Sequence, residues 1–236
     1  MNKKFSDSFE RLGRWIDTNG YAGYDPYDVK GIKPVIKLAK LGNRYKIFEI
    51  IREIFYELFL MFPVFFRKVF RITKKENAKA IGLMTSSFID LYQMNPSPPL
   101  EEKISKGFAW LKENKVVFNG GIGWGYPFDW QSSQFIPALT PNGIVTTAVA
   151  EAYWKKYKMD GDEEALSFCV SIAKFLFSLP KHHQDDERLC FSYTPLFVNR
   201  VHNLNLFVAE HLLKVGMEIS NQEYIDTALK AVNFNA

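Results

Sequence analysis

Eight stretches of this chain place apolar residues at helical spacing, and the last six form three consecutive pairs. The stretches are 5–17, 44–60, 77–94, 100–113, 142–158, 162–178, 202–215 and 221–234. In the first, Phe5, Phe9, Leu12 and Ile16 share a stripe; in the second, Ile47, Ile50, Ile51, Ile54 and Leu58 do. No strand series competes with them, since only KVVF at 115–118 alternates, and weakly. Such a chain is all-α.

The pairing narrows the choice further. Each pair opens with a helix rich in small and apolar residues, followed by a short polar turn and an acidic start (LEEKIS, DGDEEAL, SNQEYI). Acidic groups there complement the positive end of the helix dipole. With Asn77, Asn142 and His202 as equivalent starts, the steps are 65 and 60 residues. Helix-pair solenoids repeat at roughly 34 to 47 residues, so this period suits hairpins with long loops at one end. Ala78, Ala80, Gly82, Ser86 and Ser87 recur in kind as Gly143, Thr146, Thr147, Ala148 and Ala150. Small side chains let inner helices approach. These features predict helical hairpins arranged as an open or incomplete α/α toroid. We expect one such domain over residues 1–236, lacking terminal repeats, with an irregular helical bundle as the alternative.

Composition bounds the function. A formal charge of +4, with lysines spread along the chain, offers no basic run for a nucleic-acid backbone. Cys169 and Cys190 make neither a metal site nor a disulfide framework, and a reducing cytoplasm is the simplest setting. The N-terminal MNKKFSDSFERLGRW lacks the apolar core of a secretory signal. Residues 47–72 are the most membrane-like, but Glu49, Arg52, Glu53 and Glu57 interrupt them and Pro63 breaks them. The expected element is an amphipathic helix packed on the core; a membrane-surface or partner-binding face is the alternative. The expected location is cytoplasmic, with a position peripheral to the inner membrane as the variant reading.

Aromatic and polar residues concentrate in three loops, 19–31, 120–143 and 189–205. The second and third run into first-of-pair helices, so in a toroid they lie at one mouth of the ring and would wall a pocket. Four segments, WIDTNGYAGYDPYD, GWGYPFDWQS, TPNGIVTTAVAEAY and SYTP with VHNLNL, resemble bacterial proteins found with exopolysaccharide and lipopolysaccharide biosynthesis genes. Those proteins are often labelled as similar to the prenyltransferase and squalene-cyclase repeat or to six-hairpin glycosidases. The resemblance runs from about residue 10 to about residue 215, and family members are longer. It implies a toroid and a glycan-assembly context, not a reaction. The chain departs from the pattern after Asp28, which leaves the role of 30–70 open. It also lacks the DxDD-like acid motif of squalene cyclases.

Within the loops, Asp129 stands between Phe128 and Trp130, where desolvation suits a general acid and backbone amides suit a structural anchor. His202 opens a helix beside Asn203 and Asn205, as a base or as a cap. These two are the catalytic candidates. Trp124, Tyr126, Trp130, Gln131, Tyr193, Asn203, Tyr24 and Asp25 are the substrate-binding candidates, because flat rings stack on sugar faces while polar groups fix hydroxyls. Each aromatic could equally pin its loop, and Asp25 and Asp28 in YDPYD could serve turns. His182 and His183 lack metal-ligand spacing, and His211 reads as a helix-face residue. No metal and no cofactor are expected.

The sequence therefore points to a protein that binds or processes a saccharide in bacterial surface-polysaccharide biosynthesis. Its chemistry would be hydrolysis, elimination or epimerisation, and its partner an oligosaccharide or lipid-linked saccharide. The alternative is a non-catalytic scaffold docking on membrane-associated biosynthetic proteins through 47–72. Nucleic acid is not an expected partner.

Overall fold

A computed structural model describes residues 3–131 and 134–235, without the side chains at 3–6 and 9. Its helices are α1 (Lys3–Asn19), α2 (Lys33–Gly42), α3 (Lys46–Met61), α4 (Pro63–Val69), α5 (Ala78–Met94), α6 (Pro98–Glu113), α7 (Gly143–Asp160), α8 (Glu163–Phe177), α9 (His202–Glu218) and α10 (Gln222–Asn233). Short strands lie between them: β1 (Val116–Phe118), β2 (Gly121–Gly123), β3 (Trp130–Gln131), β4 (Phe135–Ile136), β5 (Lys181–Gln184) and β6 (Leu189–Phe191). Contacts gather the chain into two compact units, Met1–Asn77 with Pro127–Phe135, and Ala78–Tyr126 with Ile136–Ala236.

The second unit is an arc of three hairpins, α5/α6, α7/α8 and α9/α10. The first helices form the inner row, with α5 packed on α7 and α7 on α9, and each also packs on its own partner. This is the inner-and-outer layering of an α/α toroid, here open. Capping residues set the helix starts. Asn142 accepts from Val145 N at 3.0 Å, Asp162 from Ala165 N at 3.0 Å and Asn221 from Tyr224 N at 3.1 Å. Small residues set the spacing: a Cβ on Gly82 would lie 2.9 Å from the Ala148 carbonyl oxygen, and one on Gly143 would lie 2.2 Å from Leu204 Cδ1. The inner row could not close to this distance with larger side chains there.

The predicted helices of this unit recur within a few residues of their expected ends. The structure adds antiparallel ribbons. KVVF supplies β1, which pairs Val117 with Ile122 of β2. His182 and His183 lie in β5, which pairs with β6, and Asp185 holds the turn that follows by accepting from Glu187 N at 2.9 Å and Arg188 N at 2.6 Å. Among the described residues no three histidines, cysteines or acids gather as metal ligands.

The first unit is built around Val29, Val35 and Phe59, with Phe55, Phe66 and Phe70 against them. Arg67 fastens the 19–31 loop to it. The guanidinium bonds Asp28 Oδ2 at 3.1 Å and the Asp25 carbonyl at 3.2 Å, and lies 4.6 Å from the Tyr24 ring. The ion pair is largely buried, so losing either partner strands a charge at a cost of about 3–5 kcal/mol.

Two expectations change here. Residues 33–42, which lie outside the eight helical stretches read from the sequence, form α2. The stripe Ile47, Ile50, Ile51, Ile54 and Leu58 faces solvent at 41–61 % exposure instead of packing on the core. The face that packs carries Phe55 and Phe59, because aromatic rings fill the gap to α4 through contacts such as Phe55–Phe66 at 5.4 Å. In α1, Ile16 is buried and Leu12 exposed, while the side chains of Phe5 and Phe9 lie outside the described residues. Among the described residues no helix is long and apolar enough to cross a membrane.

Candidate functional site

Where three inner helices bring small residues face to face, larger side chains at the margins leave a hollow between them. In the second unit that hollow is a cleft of about 300 Å³, lined from α5 by Lys79 and Leu83, from α7 by Ile144, Thr147, Ala148 and Glu151, and from α9 by Asn203, Phe207, Glu210, His211 and Lys214. Its size is at the lower end for small-molecule sites, and its lining of apolar walls with a few polar groups is typical of them.

Charge is arranged around Lys214. Its ammonium donates to Glu151 Oε2 at 2.8 Å and to Glu210 Oε1 at 2.7 Å. Two oxygens held by one nitrogen at those lengths are at most about 5.5 Å apart, so the two carboxylates face the same point of the cleft. Burial alone would lower the Lys214 pKa; its bonds to the two glutamates outweigh that and raise it. Lys214 thus stays charged and holds both acids in place.

His211 is buried beside them. Its Nε2 lies 3.0 Å from the Cys169 carbonyl, which accepts a hydrogen bond only when Nε2 carries the hydrogen. Burial pushes the imidazole pKa down to about 4. The ring is therefore neutral at pH 7, with Nδ1 as its acceptor. Phe207, 48 % exposed, offers a flat apolar ring to the same cleft.

Of the residues singled out in the sequence, Asn203 lines this cleft, its Oδ1 accepting from Leu204 N at 2.9 Å. His202 opens α9 beside it, but both ring nitrogens are engaged, Nδ1 with Asn235 Oδ1 and Nε2 with Arg200 Nε, each at 2.9 Å, and the ring stacks on Phe234. Asn205 is a buried brace, accepting from Phe191 N and donating to the Leu189 and Ala231 carbonyls.

The long aromatic loop divides between the units. In the second, Trp124 is 1 % exposed and takes the pinning role: its indole N–H donates to the Leu111 carbonyl and its backbone N–H to Thr146 Oγ1, both at 3.0 Å. That ring lies in the core, not on a pocket wall. Tyr126 and Tyr193 join the second and third loops, with their hydroxyls 3.4 Å apart, and the Tyr193 carbonyl accepts from Gly143 N at 3.0 Å. Burial, and then the Tyr126 hydroxyl, push the Tyr193 phenol up, so it stays protonated.

In the first unit, Trp130 stacks on Tyr27 with ring centres 6.4 Å apart, joining the middle of that loop to the 19–31 loop. Asp129 is half-buried, and Gln131 is buried at 8 % exposure. Asp25 serves the turn, accepting from Tyr27 N at 2.9 Å and Asn77 Nδ2 at 3.3 Å. Tyr24 is exposed and carries Arg67 on its face. Asp129 and His202 thus belong to different units.

The sequence reading passed over Glu151, Glu210 and Lys214. A signal was present: Glu151 is a charged residue in the small-residue run TTAVAEAYW, on a helix whose neighbours leave little room for it unless it lines an opening. His211, read as a helix-face residue, follows Glu210 in the same way.

No family model matches this chain, and no curated protein does. Among solved structures it is similar to an inactive variant of the α-1,6-mannanase GH76A of Salegentibacter sp. HEL1_6 in complex with α-1,6-mannotriose. That likeness has 13 % identity and a TM-score of 0.46, and covers 66 % of this chain and 45 % of that one. It is also similar to a GH76 α-mannanase of Bacteroides thetaiotaomicron, at 15 % identity and a TM-score of 0.48, covering 66 % of this chain and 43 % of that one. The chain thus spans less than half the length of either mannanase.

Proposed function

We propose that this protein binds and processes a saccharide in the cleft between α5, α7 and α9. The observation that carries the reading is the Glu151–Lys214–Glu210 bridge inside a hollow that also presents an aromatic ring and an amide. In this reading Phe207 stacks on a sugar face, Asn203 takes hydroxyls, and the two glutamates supply acid and base. The cleft sets two carboxylates against Lys214 and Lys79, a balance that suits a neutral glycan more than an acidic one. The resemblance of the loop segments to exopolysaccharide-locus proteins supplies the proposed setting, the building of a bacterial surface polysaccharide.

The test is binding and turnover across a panel of neutral and acidic oligosaccharides, α-1,6-mannotriose included. Glu151→Gln and Glu210→Gln should each lower turnover at least about a hundredfold while leaving binding within a few-fold. Asp129→Asn and His202→Gln go into the same assay, because a larger loss there would move the chemistry to the pair first read from the sequence. Binding without turnover of any glycan, unaffected by all four substitutions, would leave a scaffold as the better description.

A further inference from the structure

The first unit carries a surface that the saccharide reading does not use. Along α3, Ile47, Ile50, Ile51, Ile54 and Leu58 face solvent, and the apolar surface grows toward the α3–α4 turn, where Leu60, Met61, Phe62, Val64 and Phe65 are 53–67 % exposed. Isolated apolar residues on a surface are ordinary; a continuous run of this length marks an interaction site.

Charge says what kind. From Leu58 to Lys75 there is no acidic residue and there are five cations, Arg67, Lys68, Arg71, Lys74 and Lys75. Arg67 is taken by Asp28 and Lys75 bonds the Pro127 carbonyl. Lys68 and Arg71 have no anionic partner among the described residues. They line a hollow of about 340 Å³ with Tyr24, Val64, Ile72 and Thr73, directly beside the apolar turn. Arg71 also sits at φ +53°, just past the end of α4, where Ile72 N closes on the Arg67 carbonyl at 2.9 Å. Glycine commonly takes that position, and an arginine there costs backbone energy that a glycine would not. The acids of α3, Glu49, Glu53 and Glu57, lie along the helix before the turn, so attraction to an anion is concentrated at the turn and α4.

We propose that the α3–α4 turn docks this protein on an anionic lipid bilayer. Phe62 and Phe65 enter the headgroup–acyl boundary while Lys68 and Arg71 meet lipid phosphates in the adjoining hollow. An apolar wedge flanked by Lys68 and Arg71 fits that boundary, where apolar burial and attraction to anionic headgroups act together.

The experiment is co-sedimentation of the purified chain with vesicles of phosphatidylcholine alone and of phosphatidylcholine mixed with phosphatidylglycerol. We expect binding to the mixed vesicles, weakened by high salt, and little binding to phosphatidylcholine. Both Phe62→Ser/Phe65→Ser and Lys68→Glu/Arg71→Glu should lower it at least about tenfold with an unchanged melting temperature. Equal binding to both vesicles, or to neither, overturns the proposal. So does a dimer in sedimentation analysis that Phe62→Ser/Phe65→Ser dissociates, which would assign the surface to a second copy of the chain. The aromatic and charge pairs change different properties of the surface, so one variant that misfolds leaves the other to decide.

Discussion

His211 shows how much one buried side chain can govern. In the unfolded chain its imidazole titrates near 6.5; folded, burial brings the value to about 4, with the Cys169 carbonyl and Glu210 pulling up and Lys214 pushing down. Between those values the unfolded chain holds a proton that the folded chain does not, so the stabilisation is complete above about pH 6.5 and is lost as pH falls toward 4. The gap is worth roughly 3 kcal/mol. Urea midpoints should therefore fall across that range, and His211→Gln, whose amide can still donate to the carbonyl, should flatten this part of the profile. At this scale the sequence was only partly legible. It identified residues worth asking about, but Trp124 became a core residue because a carbonyl of α6 meets its indole N–H, and nothing local to GWGYP announces Leu111. Glu151 went unread for the opposite reason: a glutamate in a helix ordinarily means a solvated face, and only two neighbouring helices turn it inward.

Helices were legible because their signals are local. Apolar spacing, acidic first turns and the caps Asn142 and Asp162 sit within a few residues of the ends they define. Period near 60 and small residues on alternate helices likewise gave the layering, since close approach leaves a compositional trace. What period does not encode is direction. The α3 stripe is regular, yet it faces outward, because Phe55 and Phe59 on the other side have α4 to pack against. The two inner-row glycines make the layering testable. At Gly82 an added Cβ meets the backbone of α7, which cannot yield without moving the helix; at Gly143 it meets the end of the Leu204 side chain. Gly82→Ala should cost about 1–3 kcal/mol despite the better helix propensity of alanine, and Gly143→Ala clearly less, as measured by chemical denaturation.

On the scale of the whole molecule, the chain was expected to be one domain, and its contacts form two units. Calorimetry bears on that expectation directly: one transition is the outcome for a single cooperative domain, whereas two would give each unit its own melting temperature. The units are not simple halves of the chain. Pro127–Phe135 belongs with the first seventy-seven residues although the chain on either side of it belongs to the second unit. The order of synthesis then matters. A ribosome that has released residues 1–77 has not yet made Trp130, the residue that stacks on Tyr27. Tyr27 therefore waits for its ring partner until α5 and α6 of the other unit have been made.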